Sequence, residues 1–371
     1  MHYTMQHYDT THGAAMQGAI LRDIGPDGRE RPWAQHRTEA DYMQAALSES
    51  NPDRAAKIGG CGTWLEFAAG PDGIRLHDAN FCRQRLCPLC QWRRSLKIWS
   101  QTSDLVAAAN REQANGWIML TLTQRNVDGC DLRAELDRLY KAWSDLTRRK
   151  PVRKAILGWM RVLEITHNTD MGSGAYDTYH PHFHALLQVR PSYYHSRDYI
   201  SQRQWAALWA DCMALDYTPS VDVHNVRGDS AGAIAEVSKY AVKPADILTP
   251  ADWDMTVATV AQLDRDLSGR RLIAYGGTLR RLHHDLHLDD TEDGDLVHTS
   301  ADDDAAQAVQ QYISYTWTIG YRQYIARSTR EGGAPDAERA QRIAARRAAA
   351  RPGGAGKPGM GNNGTNSQGS M

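Results

Sequence analysis

Three histidines alternate in the stretch His180-Pro181-His182-Phe183-His184. On a strand, side chains two apart share a face. The three imidazoles therefore project together, while Phe183, Ala185 and Leu187 point the other way. Neighbours on one face stand close enough to share a metal ion. Imidazole suits Zn, Mn, Fe, Ni and Cu, whereas Mg prefers oxygen, so the residue types leave the ion open. An acid precedes them: Glu164 lies between Val162 and Thr166 in a run, Trp159 to Thr166, with no other carboxylate. Burying a carboxylate is costly unless it is paired or coordinated. If the two runs form a hairpin turning near Ser173, the register sets Glu164 opposite His182, within about two residues. Two histidines and one glutamate leave coordination positions open for substrate oxygens.

Glu236, Lys239, Tyr240 and Lys243 form a second constellation, at the spacing of one helical face with Ile234, Val237 and Ala241 behind. A free phenol titrates near 10 and is a poor nucleophile at neutral pH. Lysine charges beside it favour the phenolate, and a cation on the electrophile lowers the nucleophilicity needed. A packing tyrosine with lysine stems alongside is the plainer reading of the same pattern.

Cys61, Cys82, Cys87 and Cys90 make a third group, the last two in CPLC. A C-x-x-C knuckle lets two thiolates bind one ion, and thiols kept reduced favour Zn²⁺ over disulfides. Four thiolates are the simplest set, with His77 in reserve should Cys61 not contribute. Arg83 and Arg85 within the segment, and Arg93 and Arg94 just past the knuckle, are the expected phosphate contacts. Cys130 and Cys212 have no such company and read as core residues.

Strands and helices in mixed order must position these groups. Trp117 to Thr123 is apolar on both faces, as a central strand is. Leu132, Leu136, Leu139, Tyr140, Trp143 and Leu146 then recur at helical spacing. Trp159 to Thr166 and His182 to Val189 read as strands joined by a loop rich in turn residues, Gly172, Ser173 and Gly174. Trp205, Leu208, Trp209, Cys212 and Leu215 mark a second amphipathic helix, Val221 to Val226 a short strand, and Ala231 to Lys243 a helix stopped by Pro244. The fold class is α+β with a largely antiparallel sheet.

At 371 residues the chain has ample length for one large domain or two smaller ones. No run approaches the ~18 apolar residues of a membrane span, and the first residues lack the pattern of a signal peptide. A soluble, cytoplasmic protein with no membrane partner is expected. The formal net charge of −1 excludes little, because the charge is unevenly distributed. Basic runs occur at Arg83 to Lys97 and Arg148 to Lys154, and an acidic run at Asp289 to Asp304 balances the sum without being expected to cancel their fields. Residues 1–55 show no sustained apolar period and read as a loosely structured extension, and 56–100 as a Cys-rich zinc- and DNA-binding segment. Residues 110–328 form the main domain, and 329–371 a tail, basic at Arg339 to Arg351 and then glycine-rich.

Four separated segments together resemble a known family. HPHFHALLQV matches the HUH motif and EVSKYAVK the single-tyrosine motif of rolling-circle plasmid replication initiators, the plasmid Rep proteins. WIMLTLTQRN resembles that family's first motif and GWMRVLEIT the strand before the HUH strand. CRQRLCPLCQWRR is similar to its cysteine segment. The resemblance runs from about Cys61 to Tyr324 in the family's motif order. It implies a ferredoxin-like HUH endonuclease domain on which His182 and His184 hold a divalent cation, Mg²⁺ or Mn²⁺, with the role of His180 open. It further implies nicking of one strand of plasmid origin DNA, single-stranded or in a cruciform, with Tyr240 linked to the 5′ phosphate. Glu236 would activate the water that releases the DNA, although as a helix residue it is equally spaced to pair with Tyr240 or Lys239. Host helicase and polymerase are the implied partners. Two other readings fit the residues: a non-enzymatic zinc-stabilised nucleic-acid-binding module, and an HUH transposase or relaxase acting on a different DNA site.

Overall fold

Two antiparallel sheets organise the chain in the computed structural model, which describes residues 17–25, 27–71, 73–226, 231–238, 244–249, 251–299 and 309–332. The elements run α1 (Trp33–Leu47), α2 (Pro52–Gly59), β1 (Trp64–Gly70), β2 (Gly73–Ala79), α3 (Pro88–Glu112), β3 (Gly116–Leu122), β4 (Val127–Asp128), α4 (Leu132–Arg148) and α5 (Lys150–Ala155). They continue with β5 (Ile156–Asn168), β6 (Thr178–Val189), α6 (Gln202–Met213), β7 (Val221–Asn225), α7 (Ala231–Val237), α8 (Pro244–Ile247), α9 (Trp253–Asp266), β8 (Ile273–Gly277), α10 (Thr278–Asp285), β9 (Gln311–Thr318) and β10 (Gln323–Glu331).

The larger sheet has the order β7-β3-β6-β5-β8, with the short β4 pairing the start of β6. Its strands β3, β5, β6 and β7 are connected through α4 and α6 as β-α-β-β-α-β. Because β6 is flanked on both sides, its apolar alternate residues can be wholly buried: Phe183, Ala185 and Leu187 are at most 1% exposed. Helix α4 covers that back face through the leucines expected from their spacing, and the Phe183 ring meets Tyr140 at 5.5 Å and Trp143 at 5.7 Å. The β5–β6 turn forms where glycine and serine predict it, with Asn168 Nδ2 donating to Ser173 Oγ at 3.1 Å.

The smaller sheet, β10-β9-β1-β2, pairs strands from residues 64–79 with strands from 311–331. Here the structure departs from the sequence reading. Residues 17–55 are not a loose extension, since α1 buries Trp33, His36, Arg37, Ala40, Met43 and Leu47 along one face. Two polar members of that stripe hid its period. Arg37 is buried because its guanidinium donates to the Gly59 carbonyl at 2.6 Å and pairs with Asp41 at 2.8 Å. Nor do the boundaries near 100–110 and 328 separate units. Helix α3 runs unbroken through the first, and β9 and β10 return to pair with β1, where Tyr324 donates to the Gly62 carbonyl at 2.6 Å. β10 extends to Glu331, with Arg330 on Glu66 at 2.9 Å, and the basic stretch Arg339 to Arg351 lies outside the described residues. Cys130 is exposed and so is not a core residue, whereas Cys212 is half-buried and packs against the core.

Candidate active site

The β5–β6 register pairs Glu164 with His182 across the strands, as the hairpin argument requires. Glu164 is 4% exposed and His182 and His184 are 8% exposed each, so a carboxylate and two imidazoles are buried together. Glu164 Oε2 lies 2.9 Å from His184 Nε2 and 3.5 Å from His182 Nε2, and the two Nε2 atoms are 3.1 Å apart. His182 Nδ1 lies 3.0 Å from the carbonyl of His180, which can only accept. The proton of a neutral His182 is therefore on Nδ1 and the Nε2 lone pair faces the cluster. His184 Nδ1 meets Thr121 Oγ1 at 3.2 Å on the neighbouring β3, which orients its Nε2 the same way. One carboxylate oxygen and two imidazole nitrogens thus converge within 4.8 Å of one another, a donor set that fits a divalent cation. His180 is not one of these three. Its ring stacks on His182 at 5.0 Å, and burial, aided by the His182 charge, lowers its pKa.

Helix α7 packs over this face of β6 and β5. Ile234 and Val237 anchor it, and Ser238 Oγ donates to the Ile234 carbonyl at 2.6 Å. Glu236 is thereby placed with Oε1 3.9 Å from His184 Nε2, its side chain one third exposed. Lys239, Tyr240 and Lys243, expected on the continuation of this helix, lie outside the described residues, and α8 begins at Pro244.

The four cysteines come together from three places in the chain. Cys61 follows α2, Cys82 follows β2, and Cys87 and Cys90 open α3. Their sulfurs all lie within 4.8 Å, with Cys61–Cys90 at 3.5 Å and Cys82–Cys90 at 3.8 Å. Backbone amides point at them: Cys82 N–H at Cys61 Sγ, 3.3 Å, and Arg83 N–H at Cys90 Sγ, 3.3 Å, the latter through a left-handed Arg83 with φ 58°. Burial pushes the Cys87 thiol well up. Cys90 is equally buried, yet hydrogen bonds from the other three thiols and the Arg94 charge pull it down. A bound cation would offset the cost of ionising such buried sulfurs, so this donor set also fits a metal. His77 stands elsewhere, 3.9 Å from Glu66 and against the Tyr312 ring at 4.5 Å.

The expected arginine contacts are corrected by the fold. Arg93 is 2% exposed and donates to the carbonyls of Leu296 at 2.9 Å and Val297 at 2.7 Å. Arg94 donates to the Glu292 carbonyl at 2.9 Å, and Arg85 pairs with Glu292 at 2.9 Å. Lys97 pairs with Asp289 at 2.5 Å. The acidic run therefore lies on the basic one and cancels it locally, about 200 residues further along the chain. Of the four arginines, Arg83 is the exposed one.

A family profile described as replication protein matches residues 73–325, more than half of the chain. The chain belongs to the replication protein family. A Rep protein of Bacillus amyloliquefaciens is 37% identical over 336 residues, covering 83% of this chain and 97% of that protein. One from Lactiplantibacillus plantarum is 37% identical over 319 residues, 82% and 98% of the two chains. A replication protein of Staphylococcus aureus is 38% identical over 219 residues, 57% and 91%. No solved structure matches. Membership agrees with the plasmid Rep resemblance and supports a replication-initiator role. Among the described residues, no helix is long and apolar enough to cross a membrane.

Two residues beside the site escaped the sequence reading. Thr121 orients His184, and Gln124, just past β3, is 5% exposed with neither side-chain amide atom hydrogen-bonded while its backbone meets His180. Both fall in WIMLTLTQRN, whose Trp117 to Thr123 reads as a strand and whose whole length resembles the family's first motif, without either reading marking these two side chains.

Proposed function

We propose that this protein initiates rolling-circle replication of a plasmid by nicking one strand of the origin through a tyrosine transesterification. The buried Glu164–His182–His184 cluster in a member of the replication protein family carries the reading. The strand order β7-β3-β6-β5, with α4 and α6 as crossovers, supports a ferredoxin-like HUH domain as its frame. His182, His184 and Glu164 hold Mg²⁺ or Mn²⁺, with His180 packed against His182. Such a cation, when bound, withdraws charge from the scissile phosphate.

Tyr240, its phenolate favoured by Lys239 and Lys243, attacks the phosphorus in line as the 3′ oxygen leaves and takes up a proton. One phosphodiester is exchanged for another, so the 5′ end is held as a phosphotyrosine and the 3′-OH is free to prime a host polymerase, with a host helicase opening the duplex. Glu236 directs the water that later releases the DNA. The four cysteines hold a structural Zn²⁺, and Arg83 reaches a phosphate at the exposed rim of that segment. The test is a labelled single-stranded oligonucleotide from the plasmid's own origin, incubated with Mn²⁺ and run under denaturing conditions. Wild-type protein should form an adduct and Tyr240→Phe none. An adduct of undiminished yield in Tyr240→Phe would move the nucleophile elsewhere.

A further inference from the structure

We propose that the far end of the larger sheet, where α5 at the start of β5 meets the loop between β6 and α6, is a docking surface for the phosphate backbone of duplex DNA. Lys150, Arg153, Lys154 and Arg197 are exposed there and make no ion pair among the described residues. Asp211 is taken by Arg149, which leaves Asp198 as the one opposing carboxylate in the two clefts these cations line. The clefts, about 420 and 590 Å³, share Lys154 and Asp198 and so adjoin, together making a trough. Tyr199, 41% exposed, lies on its wall beside Tyr194, 38% exposed, rings suited to packing on sugars or bases.

The surface is held in shape. Tyr193 is buried and its hydroxyl both donates to the Ile200 carbonyl, at 3.2 Å, and accepts from the Ile200 amide, at 3.1 Å, closing the loop. Arg190 Nη1 donates to the Lys154 carbonyl at 3.0 Å and fastens the loop to α5. Fixed cations in excess of carboxylates suit a regular polyanion, since each neutralised phosphate releases a counterion.

Position favours DNA over other polyanions, and this step rests on the nicking role proposed above. Residues 184 to 190 of β6 and its exit, at about 3.3 Å each, put the trough roughly 20 Å along the strand from the histidine cluster. At 3.4 Å per base pair that is about six base pairs. A duplex lying in the trough would be gripped about that far along β6 from the cluster, on the side of the sheet that α4 and α6 cover.

The experiment measures binding of a labelled 30-base-pair duplex across a salt series, beside nicking of the single-stranded origin oligonucleotide. The triple variant Arg153→Glu, Lys154→Glu, Arg197→Glu should weaken duplex binding at least tenfold. It should also lower the slope of log affinity against log salt by about two to three, at about 0.9 per phosphate lost, while nicking of the single strand persists. The neutral triple variant to Gln should shift both quantities in the same direction by less. Unchanged affinity and slope in both variants overturn the proposal, as does wild-type protein that binds phosphatidylserine vesicles but not the duplex. Wild-type protein that binds the duplex with this charge dependence yet nicks no strand would overturn the nicking role and leave the trough standing.

Discussion

Glu164 is a carboxylate buried on a strand, where two imidazoles face it at 2.9 and 3.5 Å and offset the cost of its burial. Strand period places His182 and His184 on one side and hairpin register brings Glu164 across to them, so this part of the site is readable from local pattern alone. Thr121 and Gln124 are not, because which strand lies beside β6 depends on tertiary order that no period reveals. Glu236 supplies the sharpest test at this scale. Its Oε1 lies 3.9 Å from His184 Nε2, and under the proposed mechanism it directs the hydrolytic water but need not act while Tyr240 is the nucleophile. Glu236→Gln keeps the shape and removes the base. Initial nicking should therefore persist while release of the DNA slows, and the covalent complex should accumulate in a time course on denaturing gels. Loss of nicking without accumulated adduct would assign Glu236 to holding the tyrosine helix or the metal instead.

Among the elements, α3 connects the two halves: it begins at the cysteine cluster and ends two turns beyond Leu105, against the larger sheet. A cluster at a helix start nucleates the helix if a metal is bound, because Cys87 and Cys90 are then tied to Cys61 and Cys82 before the first turn closes. Cys90→Ser should release zinc, measured by elemental analysis of freshly purified reduced protein, and lower the unfolding temperature. Wild-type protein free of zinc, with the thermal stability of the variant, would reduce the cluster to packing. The C-x-x-C spacing made this element readable, whereas α1 was missed for a definite reason. Its buried face includes His36 and Arg37, and Arg37, besides pairing with Asp41 one turn on, donates to the carbonyl of Gly59, on a helix that the sequence could not show to be adjacent. Polar residues with distant partners erase an amphipathic signal without weakening the helix.

For the molecule as a whole, opposite charge runs separated by about 200 residues meet at α3, and the segment from Asp289 to Thr299 straps β8 of the larger sheet to α3 and the cysteine segment. Glu292 accepts from Arg85 of the cysteine segment and, through Oε1, from the Ile273 amide of β8 at 3.0 Å. Within the strap, Asp295 is the group whose ionisation the fold controls most. Burial would raise its carboxyl, but hydrogen bonds from His298 at 2.8 Å and from the Val297 amide at 2.9 Å, with the charges of His298 and Lys97, pull it down to about 2. A folded-state pKa below the unfolded value means stability that is present above the unfolded pKa and lost as the pH falls through the folded one. The gap from an ordinary carboxyl corresponds to about 2 kcal/mol at neutral pH. Asp295→Asn should cost about that much in urea unfolding at pH 7, and the two proteins should converge between about pH 4 and pH 2, as the wild-type carboxylate is protonated. Denaturation curves that stay separated by a constant amount down to pH 2 would show that the strap is held by its backbone contacts to Arg93 and Arg94 and not by this charge.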